Sequence, residues 1–83
     1  MPEEEIGSVS DFYSRLFVAG VELTGTLKIG DQVHIVGHTT DLSFTVDSLQ
    51  IDKKAVNEAH KGDAIGIKLP DRVRRGDKVY KIT

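Results

Sequence analysis

At 83 residues, with 39% hydrophobic and 29% charged residues, the chain has the size and composition of one small globular domain, too small for a deep catalytic cleft between lobes. Cysteine is absent, which excludes a disulfide framework and a thiolate metal site, and no apolar run approaches the roughly 20 residues that span a bilayer. The net charge of −2 conceals an asymmetry, because residues 1–52 carry two basic residues against nine carboxylates and residues 53–83 carry nine against four.

The first five residues, which include Glu3, Glu4 and Glu5, are predicted to form a flexible acidic N-terminus before a single domain over residues 6–83. This opening lacks the basic start and the apolar run of a signal peptide. We therefore expect a cytoplasmic location and no association with a membrane.

Apolar and polar residues alternate with a period of two along most of the chain, which is the pattern of half-buried β-strands. In the first such segment Phe17, Ala19 and Val21 share one face, and Leu16 and Val18 lie on the opposite face. We therefore predict an all-β fold. The segments with this alternation are 17–23, 33–35, 42–46, 49–51, 65–69 and 80–82.

Two segments depart from simple alternation. The apolar phase slips by one residue at Asp47 and Ser48, which predicts a bulge or a sharp bend of the kind that turns a strand around a barrel corner. Residues 52–61 contain the best helix formers, but the segment is short and ends at Gly62. We predict a brief strand and a turn there, with a single helical turn as the alternative.

A glycine followed by an aspartate occurs three times, and each time a Val or Ile follows after one further residue. Glycine supplies the positive φ of a tight turn, and the aspartate side chain can accept a hydrogen bond from the backbone two residues on. Each pair is therefore predicted to form a turn that starts a strand. The pairs are Gly30 and Asp31, Gly62 and Asp63, and Gly76 and Asp77.

These turns carry a resemblance to a known family. The segment 23–37 resembles the G-x-L-K-x-G-D-x-V-x-I-x-G segment in the second domain of elongation factor Tu and related translational GTPases. Segments 46–50, 55–59 and 62–67 resemble the next strands of that domain in the same order, and residues 73–77 resemble its closing I-x-R-G-D turn. The resemblance implies a small closed or nearly closed β-barrel of about six to seven strands.

The resemblance extends over roughly residues 6–83. The sequence departs from the GTPase domains at its start, where residues 6–9 are followed by the longer stretch 11–15. This opening and residues 37–41 are closer to stand-alone elongation-factor-like proteins, and they also resemble the β-barrel tails of some collagenase-like peptidases. The G-x-x-x-x-G-K-[ST] loop that cradles nucleotide phosphates is missing, so we expect neither a nucleotide nor another cofactor.

The candidate nucleic-acid site is a group of basic residues in the second half of the chain, here called the basic set. Lysine and arginine on a barrel rim can neutralise phosphates, and the resemblance implies contact with tRNA or ribosomal RNA. The alternative is a solvated loop whose charge Asp71 and Asp77 partly cancel. The basic set comprises Lys53, Lys54, Lys68, Arg72, Arg74, Arg75 and Lys78.

No catalytic group and no metal site are predicted. His38 and Asp41 could together bind a metal or exchange a proton, but a metal site needs three or more ligands, and a loop hydrogen bond accounts for them better. The serines lack a glycine elbow and a histidine–carboxylate pair at suitable spacing. We therefore expect a binding module rather than an enzyme.

Two functions from different classes fit these observations. The first is a translation-related module that contacts RNA or a ribonucleoprotein through the basic set. The second is a protein-interaction or accessory domain that docks on a separately encoded enzyme, such as a peptidase, through exposed apolar residues such as Leu16, Val18 or Val36. RNA binding predicts an affinity that falls steeply with salt, whereas apolar docking predicts a weak dependence on salt.

Overall fold

The computed structural model describes residues 3–82, and within that range the regular secondary structure consists of β-strands without a helix. Six of these strands have five or more residues, and the others have two or three. The predicted all-β fold is therefore confirmed. The strands are β1 (Glu3–Tyr13), β2 (Val18–Leu23), β3 (Leu27–Lys28), β4 (Gln32–Val36), β5 (Asp41–Thr45), β6 (Leu49–Ile51), β7 (Lys54–Ala55), β8 (Glu58–Ala59), β9 (Ala64–Lys68) and β10 (Lys78–Ile82).

Eight strands of the described range form one antiparallel sheet in the order β5-β4-β10-β1-β2-β9-β6-β7, and β3 pairs with β8. β5 and β6 follow each other in the chain but lie toward opposite ends of this order, and residues 46–48 connect them. A connection of this length spans at most about 14 Å, so the two ends of the sheet lie near each other. The sheet therefore curves into a nearly closed barrel, as predicted.

The core is built from aliphatic side chains on the inner face of the sheet. Ala19, Val21 and Leu23 of β2 are at most 3% exposed, and so are Ile65 and Ile67 of β9. Complete burial of one Val, Leu or Ile side chain contributes about 1.5–3 kcal/mol. The period-two alternation of these segments thus identified their inner faces correctly.

Strand β1 is bent by two irregularities. Its register shifts between Glu5 and Gly7 and again between Val9 and Asp11. A shift of one residue moves the following side chains to the other face of a strand. Ile6 and Val9 can therefore both face the core, although they are three positions apart.

The predicted bend near Asp47 is the connection between β5 and β6. Val46 is buried there, its amide donates to the carbonyl of Asp31 at 2.9 Å, and its carbonyl accepts from the amide of Gly30 at 2.8 Å. The chain thus ends one strand and starts another at this point, instead of continuing as one strand through a bulge. The first Gly-Asp turn holds Val46 in place through these two hydrogen bonds.

All three Gly-Asp turns have the same geometry. The glycines have φ of +95°, +93° and +87°, and the next strand starts directly after each aspartate. Each aspartate carboxylate accepts from the amide three residues before it, which corrects the prediction of a bond two residues on. These bonds join Lys28 to Asp31, His60 to Asp63 and Arg74 to Asp77, at 2.9, 2.9 and 2.8 Å.

The N-terminal boundary differs from the prediction. Glu3, Glu4 and Glu5 belong to β1 and pair with residues 80–82 of β10, so β1 starts before the predicted domain boundary at residue 6. Their ladder to β10 was not visible in the sequence because its partner is the far end of the chain. Met1 and Pro2, and Thr83 of the predicted domain, lie outside the described residues.

Phe17 differs from the expectation, whereas residues 52–61 match the predicted brief strand and turn. Phe17, expected on the inner face, lies in the turn before β2 with φ of +52° and is 38% exposed. Asp52 and Lys53 both have positive φ and form a two-residue loop between β6 and β7. Residues 52–61 are therefore short strands and turns, and the alternative of a helical turn is wrong.

Candidate functional site

The end of β1 and the turn that follows it carry a group of exposed apolar side chains, here called the apolar tip. It comprises Tyr13, Leu16 and Phe17, which are 53%, 66% and 38% exposed. Within residues 3–82 the remaining exposed large hydrophobic residue is Ile29, in the turn between β3 and β4. Isolated exposed apolar residues are ordinary, whereas large contiguous apolar patches are typical of interaction sites.

The apolar tip is held by backbone hydrogen bonds. The amide of Leu16 donates to the carbonyl of Tyr13 at 3.1 Å, and the amide of Leu69 donates to the carbonyl of Phe17 at 2.7 Å. The ring of Phe17 meets the ring of Phe12 edge to face, with centroids 6.0 Å apart. The exposed side chains are thus presented on a fixed turn.

A shallow trough continues from the apolar tip across the outer face of the sheet. Gly20 of β2 pairs directly with Gly66 of β9, and both are on the outer face because their neighbours are buried. Leu16, Val18 and Gln50 line the same trough. Leu16 and Val18 are therefore on the outer surface, as the sequence predicted.

The structure divides the basic set. Lys53 and Lys54 follow Ile51, which pairs with Ile65 near the start of β9, whereas Lys68 ends that strand. Ile65 and Lys68 are three residues apart on β9, which corresponds to about 10 Å along the strand. The lysines of the β6–β7 hairpin therefore do not extend the group around Lys68.

The remaining members of the basic set, three arginines and Lys78, differ in their partners. Arg75 forms an ion pair with Asp11 at 3.0 Å and has a side chain that is 78% exposed, so this pair contributes little. Lys78 begins β10, where it pairs with Ser8 of β1. Arg72 and Arg74, in contrast, line one common depression.

This arginine depression, of about 540 Å³, is open to the surface and is formed by three connections. Val73 is 3% exposed and anchors the segment that carries the two arginines. The amide of Gly37 donates to the carbonyl of Thr40 at 2.8 Å and closes the opposite loop. The lining residues are Phe12, Ser14, Thr39, Thr40, Asp71, Arg72, Val73 and Arg74.

His34 is an ionisable group whose partners the sequence did not reveal. Its Nδ1 lies 2.9 Å from Glu3 Oε2, and its Nε2 lies 2.5 Å from Asp41 Oδ1. The hydrogen bonds to Asp41 and then to Glu3 raise the pKa of His34, while partial burial opposes the rise. Asp41, considered with His38 in the sequence, is thus engaged by His34, on the neighbouring strand.

The described range contains no group of three or more His, Asp or Glu residues that could hold a metal ion. His34 has two carboxylate partners, but its two ring nitrogens point to different ones, which is the arrangement of hydrogen bonds and not of ligands around one ion. No helix long and apolar enough to cross a membrane is found among residues 3–82.

Sequence comparisons connect the chain to two kinds of protein. A family model described as elongation factor Tu domain 2 matches residues 18–80. The chain is 48% identical over 77 residues to an uncharacterized protease of Methanocaldococcus jannaschii, and 36% identical over 78 residues to a collagenase of Porphyromonas gingivalis. These alignments cover 92% of this chain but only 19% and 22% of the two relatives, so the chain spans about a fifth of their length.

Solved structures give the same fold. The C-terminal domain of a Geobacillus thermoleovorans protein assigned to the U32 peptidases superimposes with a TM-score of 0.89, covering 96% of this chain and 93% of that domain at 16% identity. Its selenomethionine variant gives a TM-score of 0.86. The resemblances seen in the sequence, to translation-factor barrels and to barrels of collagenase-like peptidases, are both confirmed. Matched over three quarters of its length by the family model, the chain belongs to the elongation factor Tu domain 2 family.

Proposed function

We propose that this barrel is a non-catalytic accessory domain that docks on the catalytic part of a peptidase through the apolar tip. The observation that carries the proposal is the exposure of three large apolar side chains within residues 13–17, led by Leu16 at 66%. Burial of such side chains against a partner contributes about 1.5–3 kcal/mol each. Exposed to water, they bring the domain no such stabilisation.

The comparisons support a peptidase as the partner. The relatives with 48% and 36% identity are named a protease and a collagenase, and the segment similar to this chain is about a fifth of each. The apolar tip and the trough together offer a surface around which an interface of about 800 Å² per partner can form. A domain of this size that accompanies a larger catalytic chain can position the substrate or control its access to the catalytic site.

The test uses the M. jannaschii protease without the 77 residues that match this chain, after circular dichroism and gel filtration have shown that this fragment is folded and monodisperse. We expect this fragment to bind the isolated barrel, measured by isothermal titration calorimetry. Leu16→Asp should weaken binding about tenfold or more, because a charge is placed in the apolar contact. Affinity should fall far less between low and physiological salt than the steep loss expected of RNA binding.

The matched control is Ile29→Asp, which places the same charge on an exposed apolar residue in a different turn. It should leave binding unchanged. The proposal fails if the fragment does not bind the unmodified barrel, or if both variants weaken binding equally.

RNA contact is the second candidate, and one observation favours it: Arg72 and Arg74 share a depression with the aromatic ring of Phe12. Guanidinium groups neutralise phosphates, and a ring can stack on a base. Binding to a mixed tRNA and ribosome preparation should then fall with salt and be lost when Arg72, Arg74 and Arg75 are changed to Glu. A translation-related role and a cytoplasmic location stay predictions of this candidate.

A further inference from the structure

We propose that the arginine depression binds the carboxylate of an acidic side chain on the docking partner, next to the apolar tip. This inference rests on the proposed docking function and adds a polar anchor to it. It also specifies what the partner must present, namely an acidic residue close to a large apolar one.

The two arginines are oriented together by the residue between them. Val73 is buried, whereas Arg72 and Arg74 on either side of it are exposed and line the same depression. The amide of Arg74 donates to the Asp77 carboxylate at 2.8 Å, which fixes the backbone without occupying the guanidinium group. Both guanidinium groups therefore keep their donors for a ligand in the depression.

Three residues with hydroxyl side chains line the depression together with the arginines. Ser14 comes from the turn between β1 and β2, and Thr39 and Thr40 come from the loop between β4 and β5. Thr40 is only 8% exposed, so its position is fixed by packing. A carboxylate has two oxygens and about four acceptor sites, which such donors can satisfy together with an arginine fork.

The charge of the depression favours one carboxylate over a nucleic-acid backbone. Asp71 lines it as well, and its Oδ1 accepts from the amide of Arg72 at 2.7 Å, so two positive groups are offset by one negative group. A single excess positive charge matches one monoanion. An RNA strand brings repeated phosphates and needs a track of cations, but Lys53 and Lys54 lie away from this place.

The depression is continuous with the apolar tip. Phe12 and Ser14 line the arginine depression and also line a second surface depression together with Tyr13 and Leu16. A partner side chain that covers Leu16 therefore lies beside a residue that can reach the arginines. A charged contact at the edge of an apolar contact fixes its orientation and also adds a modest, salt-dependent gain in affinity.

The first experiment titrates the barrel with acetyl-Glu-Leu-amide and follows backbone amide signals by two-dimensional NMR. We expect shifts at Thr39, Thr40 and residues 72–74, and no such shifts with the matched peptide acetyl-Gln-Leu-amide. The shifts should disappear in the double variant Arg72→Gln/Arg74→Gln. They should persist in Arg75→Gln, which removes a neighbouring exposed charge already paired with Asp11.

Each contrary result has a definite meaning. Equal shifts with the glutamine peptide, or shifts that survive in the double variant, overturn the carboxylate site. Tighter binding of a six-residue adenylate oligonucleotide than of the glutamate peptide at the same residues also overturns it and assigns the depression to RNA. Inorganic phosphate is titrated alongside, and if it binds more tightly than the glutamate peptide the site is not one for a carboxylate.

The second experiment separates this inference from the proposed function. With the protease fragment as the partner, we expect the double arginine variant to lose about tenfold in affinity at low salt and less at physiological salt. If Leu16→Asp weakens docking but the arginine variant does not, docking stands and the carboxylate anchor fails. If the glutamate peptide binds but the fragment does not, the anion site stands and the proposed function fails.

Discussion

Gly37 packs against the buried carboxylate of Asp77, and this contact positions the loop between β4 and β5. A Cβ atom at Gly37 would overlap Asp77 Oδ1, and Asp77 is 5% exposed with its other oxygen bonded to the amide of Arg74. We expect Gly37→Ala to lower the free energy of unfolding by about 1–3 kcal/mol, because a packed contact must be displaced. Urea denaturation measures this change.

Gly66→Ala is the matched control for that substitution. A Cβ at Gly66 would meet Val18 Cγ1 at an ordinary 3.5 Å, and the residue lies inside a strand. Because glycine in a strand loses more backbone freedom on folding, this variant should be more stable by about 0.5–1 kcal/mol. Equal losses in both variants would show that the contact with Asp77 does not decide the effect.

His34 gives the folded state a dependence on pH. Its pKa is raised above 6.5 by the hydrogen bonds to Asp41 and Glu3. The stabilisation is therefore complete below the unfolded pKa of about 6.5 and is lost as the pH rises through the folded pKa. We expect the free energy of unfolding to decrease over this window, as measured by urea denaturation at a series of pH values.

His34→Gln should remove that slope, and Asp41→Asn should reduce it because the first of the two carboxylate partners is neutralised. An unmodified protein whose stability is flat between pH 6 and 8 would contradict the assigned role of His34.

At the scale of the element, the three Gly-Asp turns share one pattern of backbone hydrogen bonds and differ in their surroundings. The glycine amide donates to the carbonyl of a buried residue, whose own amide donates to the carbonyl of the aspartate. The clamped residues are Val46, Leu23 and Val9, all at most 3% exposed. Each turn thus starts a strand and also fixes a core residue of another segment.

The turns differ in the burial of the aspartate, and this predicts unequal costs. Asp77 is buried, whereas Asp31 and Asp63 are half-buried. Asp77→Ala should cost about 1–3 kcal/mol, because the amide of Arg74 loses its acceptor where water has little access. Asp31→Ala should cost less, about 0.5–1 kcal/mol. Thermal unfolding of the two variants compares them, and the reverse order would refute the explanation by burial.

Elements were predictable where a local signal exists. Alternation identified the inner faces of β2, β4 and β9, and the Gly-Asp pairs identified the starts of β4, β9 and β10. Phe17 was misassigned because the alternation continues through a turn with positive φ, which the sequence does not mark. The bends of β1 did leave a signal, since Ile6 and Val9 break the period of two.

The candidate site was predictable only in part. The outward position of Leu16 and Val18 followed from their phase relative to the core. The sequence shows only that the basic set lies within residues 53–78, whereas strand register decides which of its members are neighbours in space. Register depends on pairing between distant segments, so the separation of Lys53 from Lys68 could not be derived from either segment alone.

At the scale of the whole molecule, β1 joins the two halves of the barrel. It pairs with β10 on one side and with β2 on the other. Removal of residues 1–5 should therefore lower the free energy of unfolding by about 1–3 kcal/mol, since Glu3, Glu4 and Glu5 pair with β10 and Glu3 also bonds His34. Chemical denaturation of the truncated protein measures it, and unchanged stability would mean that this end of the ladder contributes nothing.

Glu3 and Ile82 are directly paired across neighbouring strands, so the two ends of the described chain lie side by side. Such a barrel can be circularly permuted: a short glycine linker can join these ends while new termini are opened at Arg15, in the turn that carries the apolar tip. The permutant would keep every strand pairing and yet interrupt the surface assigned to docking. The permutant would therefore fold but not bind at the surface proposed for docking. A point substitution, in contrast, removes only one contact of that surface at a time.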